Sequence, residues 1–366
     1  MRKSILSSFL KDFFIMKKNI AVLSGDGIGP EIMRQSIKVL NAIAKKFNHN
    51  FVYQEALIGA IAIQKTGDPM PKETLEICME SDAVLLGTVG NPNYDSDTKM
   101  RPEQGLLKIR KVMDLYCNIR PITTYDLLMN SSPLKMEYIK GTDFIIYREL
   151  ISGIYFGKKG RSVDGKQAYD YCCYSSDEIE RIGRDAFKAA LLRKKKLTLV
   201  DKANVLETSR LWREIIKKIS IDYPEVIVDF LLVDNASMQI ILNSSRFDII
   251  LTENMFGDIL SDESSVITGS IGLLPSASIG RKNAIFEPVH GSYPQAEGKN
   301  IANPLGCVLS AAMMLDYFEL SNEAQEIRKS VANSIHNKKS TVDICKHKSL
   351  GTEEVGDFLS QYILNR

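Results

Sequence analysis

The chain reads Ile20-Ala21-Val22-Leu23 and, after Ser24, Gly25-Asp26-Gly27-Ile28-Gly29-Pro30-Glu31. The first run is a short apolar strand, and the helical spacing of Ile32, Leu40 and Ile43 indicates an amphipathic helix after the turn. A G-x-G-x-x-G dinucleotide fingerprint would need glycine at position 30, where the sequence has proline, a favourable residue at the start of a helix. We therefore predict a βα unit that is not a Rossmann domain. Its glycine-rich turn suits either a bound cofactor or a tight packing corner.

Apolar runs typical of buried strands alternate with helix-period segments through the rest of the chain. The predicted strands are residues 83–86, 144–147, 197–200, 226–233, 247–251 and 284–286. Ser175 and Glu178 form a capping box at the start of a helix. Residues 168–173 alternate with period two, as expected of an exposed antiparallel arm. This alternation of strands and helices predicts an α/β fold.

Length and composition limit the possible classes of protein. The 366 residues exceed the ~250–300 at which one hydrophobic core stops growing, so we expect two domains. Lys and Arg number 47 against 45 Asp and Glu, a formal charge of +2 that argues against a general nucleic-acid or membrane surface. Residues 1–16 are expected to form a non-structural extension, because the leader lacks a signal-peptide cleavage site. No apolar run reaches the ~18 residues of a membrane span.

The six cysteines have no C-x-x-C spacing. They therefore favour neither a zinc site nor a disulfide framework, and we expect reduced thiols and a cytoplasmic location.

Three aspartates and a lysine stand where α/β proteins place site residues, just after predicted strands. Asp234 follows the strand 226–233, while Asp258 and Asp262 follow the strand 247–251. On a helix, positions 258 and 262 project from one face and can hold a divalent cation through oxygen ligands. Acidic residues that stabilise the helix dipole are the more frequent reason for such a pair. Lys202 can serve as a general base if its pKa is lowered, although a loop lysine is usually only solvated.

Arginines at 101, 110, 120 and 148 recur through one part of the chain. Their planar forks bind carboxylates, so together with the aspartates they are consistent with a site for a dicarboxylate and a metal; ordinary surface arginines are the alternative. Leu106 and Leu107 lie four and three residues before Arg110 and share its helical face. They place apolar surface beside the guanidinium group, which suits a branched alkyl substituent.

Among the histidines, His290 is the best binding candidate. It lies in Glu287-Pro288-Val289-His290-Gly291-Ser292, a segment with glycine and proline. His49, His336 and His347 stand among polar residues, and we expect them on the surface.

In these motifs the sequence resembles the β-decarboxylating dehydrogenases of the isocitrate/isopropylmalate dehydrogenase family, most closely the members that oxidise isopropylmalate. The resemblance covers the chain from about Lys17 to the C-terminus. It is carried by 25–31, Arg101-Pro102-Glu103, Asn118-Ile119-Arg120-Pro121, Arg148-Glu149-Leu150, 153–157, Asp201-Lys202-Ala203-Asn204, 254–262, 272–277, 287–292 and Ile301-Ala302-Asn303-Pro304. The resemblance implies an isopropylmalate dehydrogenase-like two-domain α/β fold. Residues 17–115 with 269–366 would form the cofactor-binding domain, and residues 116–268 the central substrate and dimerisation domain.

The resemblance also implies a reaction and its residues. (2R,3S)-3-isopropylmalate would be oxidised by NAD and decarboxylated to 4-methyl-2-oxopentanoate and CO2, in leucine biosynthesis, by a homodimer with shared active sites. Arg110, Arg120 and Arg148 would bind the substrate carboxylates, with Glu103, Leu106, Leu107 and Asp234 also at the substrate. Asp234, Asp258 and Asp262 would hold Mg²⁺ or Mn²⁺. Lys202 would be the general base and Tyr155 would help protonate the enol, with Lys202 and Asp234 reaching the site from the partner subunit.

The family's cofactor segments correspond to residues 91–103 and 291–303. The implied NAD-binding residues are Asn91, Glu103, His290, Gly291, Ser292, Gln295, Ala302 and Asn303. Two departures stand out: Ile151-Ser152 follows Arg148-Glu149-Leu150, and Gln295 replaces the aspartate that usually pairs with the adenosine ribose. We still expect NAD rather than NADP, because the segment 293–297 offers no cation for a 2′-phosphate.

Two alternatives to this reaction remain open. Isocitrate or another 2-hydroxy diacid is the alternative substrate. A non-catalytic paralogue is the alternative class, disfavoured because every catalytic position is filled.

Overall fold

The computed structural model describes residues 16–94 and 100–366. The predicted extension therefore lies outside the described residues apart from Met16. The strands are β1 (Lys17–Gly25), β2 (Asn50–Glu55), β3 (Ala83–Thr88), β4 (Cys117–Thr123), β5 (Asp143–Glu149), β6 (Lys159–Arg161), β7 (Ala168–Asp170), β8 (Lys196–Asp201), β9 (Ile227–Leu232), β10 (Ile249–Thr252), β11 (Pro275–Ile279) and β12 (Ala284–Pro288).

The helices alternate with these strands. They are α1 (Gly29–Phe47), α2 (Ala60–Thr66), α3 (Lys72–Glu80), α4 (Pro102–Val112), α5 (Met136–Ile139), α6 (Ser176–Leu191), α7 (Glu207–Ser220), α8 (Val233–Leu242), α9 (Asn254–Thr268), α10 (Leu305–Tyr317), α11 (Ser321–His336) and α12 (Thr352–Leu364). Within the described residues, no helix combines the length and apolar character that crossing a membrane requires.

The prediction of an α/β fold is confirmed, since every predicted apolar run forms a strand. The capping box of Ser175 and Glu178 also forms, and β6 and β7 pair as an exposed antiparallel arm. Strands β2, β4, β6 and β11 are absent from the prediction. Half of the residues of β2 are polar, β11 consists mostly of small residues, Pro121 interrupts β4, and β6 is only three residues long, so the local pattern gives no strand signal.

The chain divides into two compact units. One contains the described residues up to Leu106 together with Ile285–Arg366, and the other spans Leu107–Ala284. The boundaries predicted from the resemblance, after residues 115 and 268, fall at other positions. The first unit is thus built from both ends of the chain and the second from its centre.

In the first unit, β1 pairs in parallel with β2 and β3, and β3 pairs in parallel with β12. The turn from β1 to α1 is tightly packed. Gly25 and Gly27 both have positive φ, and a Cβ on Gly27 would lie 2.1 Å from the carbonyl oxygen of Ser292. Ile28 donates its backbone N–H to that same oxygen at 2.9 Å. Glycine is therefore required here for both conformation and close approach.

His49, also in this unit, is not the surface histidine that the sequence predicts. Its side chain is 5% exposed, and Nε2 lies 2.8 Å from Oε1 of Glu323. The ring packs near Phe47 and Phe51. The prediction is wrong because Glu323 comes from a helix 274 residues away, a contact that local composition cannot reveal.

In the second unit the strand order is β11-β4-β5-β10-β8-β9. Strands β5, β10, β8 and β9 are parallel, while β4 is antiparallel to both of its neighbours. Arg148 near the end of β5 is in register with Thr252, the last residue of β10. This register brings Arg148 beside the turn that leads into α9, at the carboxyl edge of the parallel strands where α/β sheets bind ligands.

A buried apolar cluster packs beneath the parallel strands whose carboxyl edge carries Arg148. It joins α6 and α7 to β5, β8 and β10 through Ile179, Phe187, Trp212, Leu199 and Leu251. Tyr174 packs edge-on against Trp212, with ring centroids 5.6 Å apart, and its hydroxyl accepts the backbone N–H of Asn254. The start of α9 is thereby fixed to the core.

Candidate active site

Asp258 lies among arginines in the second unit. Its Oδ1 is 2.5 Å from Nη1 of Arg148 and 3.6 Å from Nη2 of Arg120. Arg120 also reaches Asp262, one turn later on α9, at 3.3 Å. Arg110 lies within electrostatic range of both Arg148 and Asp258. The structure therefore brings together three predicted substrate-binding arginines and two predicted metal ligands.

Two of these arginines are held rigidly and are not ordinary surface residues. Arg148 is 2% exposed and donates from Nε to the backbone oxygen of Asn254 at 2.8 Å and from Nη2 to its Oδ1 at 2.8 Å. Arg120 is 8% exposed and donates to Oδ1 of Asn118 at 2.7 Å and to Oγ of Ser261 at 2.6 Å. Both guanidinium planes are thus oriented before any ligand is present.

The charges in this cluster shift one another's ionisation. Burial and, to a smaller extent, the positive charge of Arg120 lower the pKa of Arg148 to about 10, although the negative charge of Asp258 opposes the shift. Burial disfavours the charged form of Asp258, but Arg148 and Arg120 outweigh it and lower the pKa of that carboxyl. With more cations than anions in a partly buried site, the cluster favours an anionic ligand.

Tyr155 belongs to the same cluster. It lies in a 3₁₀ turn at Gly153–Tyr155, and its hydroxyl donates to Oδ2 of Asp258 at 2.8 Å. The guanidinium of Arg148 stands 5.6 Å from the ring centroid. Burial and the hydrogen bond to Asp258 raise the pKa of Tyr155, so the hydroxyl keeps its proton near neutral pH.

The pair Asp258 and Asp262 fits a hard divalent cation. They occupy the second and third turns of α9. The alternative explanation, acidic residues in the first turn that stabilise the helix dipole, therefore does not apply. Burial raises the pKa of Asp262 and the negative charge of Asp258 raises it further, a repulsion that a cation between them would relieve. In residues 16–94 and 100–366 of one chain, no three His, Cys, Asp or Glu side chains converge as a metal site.

Lys202 and Asp234 form a separate pair in the second unit. Nζ of Lys202 donates to Oδ1 of Asp234 at 2.8 Å, and the two side chains are 29% and 61% exposed. Lys202 follows β8 and its backbone N–H is held by Oγ of Ser209. The hydrogen bond from Lys202, supported by its positive charge, lowers the pKa of Asp234. This exposed pair presents an ammonium group and a carboxylate outward from the chain.

The predicted cofactor residues of the first unit gather around two glycines. Ser292 is buried against Gly27, and a Cβ on Gly90 would lie 3.3 Å from Oε1 of Glu103 and 3.5 Å from Oγ of Ser292. Gly90 precedes Asn91 and donates its backbone N–H to Oδ2 of Asp26 at 2.9 Å. Backbone and small side chains thus form a closely spaced surface that suits a dinucleotide.

Asn303 and His290 carry the specific polar groups of this surface. The Oδ1 of Asn303, just before α10, accepts the backbone N–H of Leu305 at 2.9 Å. His290 contacts the carbonyl oxygen of Gly291 through Nδ1 at 3.0 Å, while its Nε2 is buried without a hydrogen-bond partner in the described part of the chain. An orphaned buried ring nitrogen fits a site completed by a bound ligand.

The other predicted site residues occupy simpler positions. Leu106 and Leu107 are half-buried on α4 ahead of Arg110, Ala302 is buried, and Gly291 and Gln295 are exposed. Gln295 lies in a 3₁₀ turn, Pro294–Ala296.

Sequence reasoning assigned no role to Asn118, Asn254 or Ser261, which anchor the arginines. Asn118 precedes Arg120 by two residues, so a period-two reading of β4 would have placed both on one face. Asn254 precedes Asp258 by one helical turn and was open to the same argument.

Comparison with known proteins points in one direction. The family model described as isocitrate/isopropylmalate dehydrogenase matches residues 19–359. A 3-isopropylmalate dehydrogenase of Bacteroides fragilis is 50% identical over 352 residues, 95% of this chain and 99% of the relative. One from Aquifex aeolicus is 52% identical over 351 residues, 93% of this chain and 96% of the relative.

Solved structures agree on the fold. An isocitrate dehydrogenase from Methylococcus capsulatus is similar with a TM-score of 0.87 and 31% identity, over 95% of this chain and 99% of that chain. A β-decarboxylating dehydrogenase from Thermococcus kodakarensis is similar with a TM-score of 0.79 and 36% identity, over 95% of this chain and 96% of that chain.

Proposed function

The chain belongs to the isocitrate/isopropylmalate dehydrogenase family, and on this premise we propose that it oxidises and decarboxylates 3-isopropylmalate with NAD in leucine biosynthesis. It is a dehydrogenase with the isopropylmalate dehydrogenase-like α/β fold. The unit built from both chain ends binds the cofactor, and the central unit binds substrate and a second subunit. The family membership also argues against a non-catalytic paralogue, because the catalytic positions are filled by Tyr155 and Lys202.

One observation carries the proposal most strongly: Arg148 and Arg120 pair with Asp258 and are held in place by buried amides, with the charge of Arg110 nearby. Two substrate carboxylates placed against Arg110, Arg120 and Arg148 would meet oriented bidentate donors. Such preorganisation lowers the cost of binding, because Arg148 and Arg120 lose little freedom when substrate arrives. A dicarboxylate substrate follows from this charge arrangement.

The chain's own residues divide the remaining work. Asp258 and Asp262, with Asp234 of a second subunit, would hold Mg²⁺ or Mn²⁺, which when bound polarises the C2 oxygen and stabilises negative charge there. Residues of the first unit, among them Asn91, Ser292 and Asn303, would hold NAD, which would supply the acceptor for the hydride at C2. Lys202 removes the hydroxyl proton as general base, and the protonated hydroxyl of Tyr155 supplies a proton to the enol after CO2 leaves.

Substrate choice within the family depends on α4. Leu106 and Leu107 precede Arg110 by one turn and are half-buried. They offer apolar surface to the isopropyl group, whereas the extra carboxylate of isocitrate would be desolvated there without a partner, at a cost of several kcal/mol. Isopropylmalate is therefore the preferred substrate.

Cofactor choice depends on the segment around Gln295. The cofactor is NAD, bound by Asn91, Glu103, Ser292 and Asn303 among others. Neutral Gln295 can hydrogen-bond ribose hydroxyls but offers no charge to a 2′-phosphate, and Glu297 would repel one. The location is the cytoplasm, a reducing compartment that fits six free cysteines.

A homodimer would complete the site. Asp234, Met238 and Leu242 follow one face of α8, where Met238 is 55% and Leu242 52% exposed. On the neighbouring α9, Ile259 and Val266 are 58% and 42% exposed. These exposed apolar side chains flank the acidic residues, so a second copy that covers them brings Asp234 and Lys202 to the partner's Asp258 cluster.

Subunit complementation tests this sharing. Lys202→Met and Asp258→Asn are each expected to inactivate the homodimer. Unfolding and refolding an equal mixture should restore about a quarter of wild-type activity. About half of all dimers are then heterodimers, and each heterodimer has one complete site out of two. A mixture of Lys202→Met chains with Arg148→Met chains should recover activity in the same way. A mixture of Asp258→Asn chains with Arg148→Met chains should not, because both substitutions fall in the same half of the site. Restoration in that last pair would contradict the assignment.

The activity itself is tested by NAD reduction. Purified protein should form NADH from 3-isopropylmalate only when Mg²⁺ or Mn²⁺ is present, and NADP should be a poorer oxidant. No NADH formation with any 2-hydroxy-3-carboxy acid would favour a non-catalytic protein, and metal-independent turnover would remove the cation from the reaction.

A further inference from the structure

Ser152 connects the loop that carries Tyr155 to two neighbouring helices. It lies directly before the 3₁₀ turn Gly153–Tyr155 and is 6% exposed. Its hydroxyl donates to Oε1 of Glu178 on α6 at 2.5 Å. Its carbonyl oxygen accepts Nδ2 of Asn254 on α9 at 3.1 Å. The residue at the start of the turn is therefore bound to both helices, all within the second unit.

Glu178 uses a different oxygen for each of its two contacts. Its Oε2 accepts the backbone N–H of Ser175 at 2.7 Å and the hydroxyl of Ser175 at 2.9 Å, as part of the capping box of α6. Its Oε1 is the acceptor for Ser152. Burial disfavours the charged form of Glu178, but the hydrogen bonds from Ser152 and Ser175 outweigh it and lower its pKa. Ser152 thus donates to a carboxylate at neutral pH, and such a bond is stronger than one between neutral groups.

The turn is constrained at its next residue as well. Gly153 has a φ of 72°, and a Cβ there would lie 2.0 Å from the hydroxyl oxygen of Tyr174. The last residue of the turn, Tyr155, donates to Oδ2 of Asp258 at 2.8 Å. Loss of the Ser152 hydroxyl would leave the constraint at Gly153 in place. We therefore expect a small displacement of Tyr155 and not the loss of the turn.

We propose that Ser152 is a positioning residue: its hydrogen bond to Glu178 fixes the turn Gly153–Tyr155 so that the hydroxyl of Tyr155 lies where the enol is protonated. This role rests on the proposed function, in which Tyr155 supplies that proton. Ser152 belongs to one of the two departures of this sequence from the family resemblance, so the contact is a feature of this chain's own residues.

The order of the chemical steps gives this role a specific kinetic signature. Enol protonation follows the irreversible loss of CO2, so a slower proton step lowers kcat but leaves kcat/KM unchanged. Ser152→Ala should lower kcat about tenfold, a part of the ~10²–10⁴ that a positioned proton donor contributes. The value of kcat/KM for isopropylmalate should stay within about twofold, so KM falls together with kcat. Rapid mixing should show a burst of NADH, because hydride transfer precedes the slowed step.

Three variants separate the hydroxyl of Ser152 from the stability of α6. Ser152→Thr keeps the hydroxyl and should restore most of kcat. Ser175→Ala is the matched control: it weakens the capping box and should lower the melting temperature, but kcat should stay within about twofold because Ser152 and Glu178 remain. Glu178→Gln replaces the carboxylate with a poorer acceptor and should give the signature of Ser152→Ala in weaker form, also if Ser152→Ala does not fold.

A Tyr155→Phe background tests whether Ser152 acts through the tyrosine hydroxyl. Once that hydroxyl is absent, adding Ser152→Ala should lower kcat by less than about twofold further. A further tenfold loss in the double variant would show that Ser152 acts on another part of the site, and it would overturn the proposal.

The remaining outcomes distinguish this role from the proposed function. A Ser152→Ala protein with wild-type kcat would overturn the role of Ser152, and so would a tenfold fall in kcat/KM without a burst, which indicates general damage to the site. In both cases a large loss of kcat in Tyr155→Phe would leave the proposed function intact. Wild-type kcat in Tyr155→Phe would refute Tyr155 as the proton donor and this inference with it.

Discussion

Asp258→Asn is the substitution that separates stability from catalysis most clearly. The change keeps the side-chain volume and one oxygen but removes the negative charge nearest Arg148, which is 2% exposed. Breaking a fully buried ion pair costs about 3–5 kcal/mol and an exposed one less than about 1 kcal/mol. Asp258 is 33% exposed, and Arg148 retains its bonds to Asn254, so the loss should fall between these limits, at about 2 kcal/mol.

Urea unfolding at neutral pH measures this loss, and Asp262→Asn is the control. Asp262 lies one turn further along α9 and is 64% exposed, with Arg120 at 3.3 Å, so its charge should be worth less than about 1 kcal/mol. Both variants should weaken activation by Mg²⁺, because neutral amides are poorer ligands for a hard cation. An Asp258→Asn protein within about 0.5 kcal/mol of wild type would refute the buried-pair reasoning. An unchanged Mg²⁺ titration in both variants would refute the metal assignment.

Three further predictions concern single residues. Lys202→Met should lower kcat by about 10²–10⁴ in steady-state assays while leaving the melting temperature nearly unchanged, because its ion pair is largely exposed; near-normal turnover would exclude the lysine as base. Burial raises the pKa of Glu253 from 4.5 to about 7, so between these pH values the folded state keeps a proton that the unfolded chain loses. The contribution of Glu253 to the free energy of unfolding is therefore fully present below pH 4.5 and is lost as pH rises through about 7. Glu253→Gln should flatten that decline in unfolding free energies measured across this range, and an unaltered slope would contradict the shift. Gln295→Asp should lower KM for NAD, because a carboxylate binds ribose hydroxyls more strongly; a raised KM would show that position 295 does not face the ribose.

Apolar runs, glycine positions and helical spacing correctly predicted those parts of the protein that depend only on neighbouring residues. The strand and turn at residues 20–31 follow from apolar runs and glycine, and the joint projection of Asp258 and Asp262 follows from helical spacing. Both hold in the structure, as β1 with α1 and as the one-turn interval on α9. The i, i+4 relation requires only that a helix forms.

Long-range contacts account for what the sequence did not reveal. Strand β11 is composed of small and polar residues, and its pairing with β4 brings together positions far apart in the chain, such as Ser278 and Asn118. The burial of Arg120 depends on that pairing, since Asn118 donates to Oγ of Ser278 and accepts from Arg120. Asp343 and Asn303 are likewise 40 residues apart, so neither composition nor periodicity could join them.

The ratio of kcat/KM for 3-isopropylmalate to kcat/KM for isocitrate tests the central claim most directly. With saturating NAD and Mg²⁺, and with CO2 release measured beside NADH, the apolar face of Leu106 and Leu107 predicts a ratio of at least about 10², since several kcal/mol oppose the extra carboxylate. The matched variants Leu106→Ala and Leu107→Ala should reduce this ratio by lowering the rate with isopropylmalate. A ratio near one, or a preference for isocitrate, would contradict the assignment of both substrate and pocket.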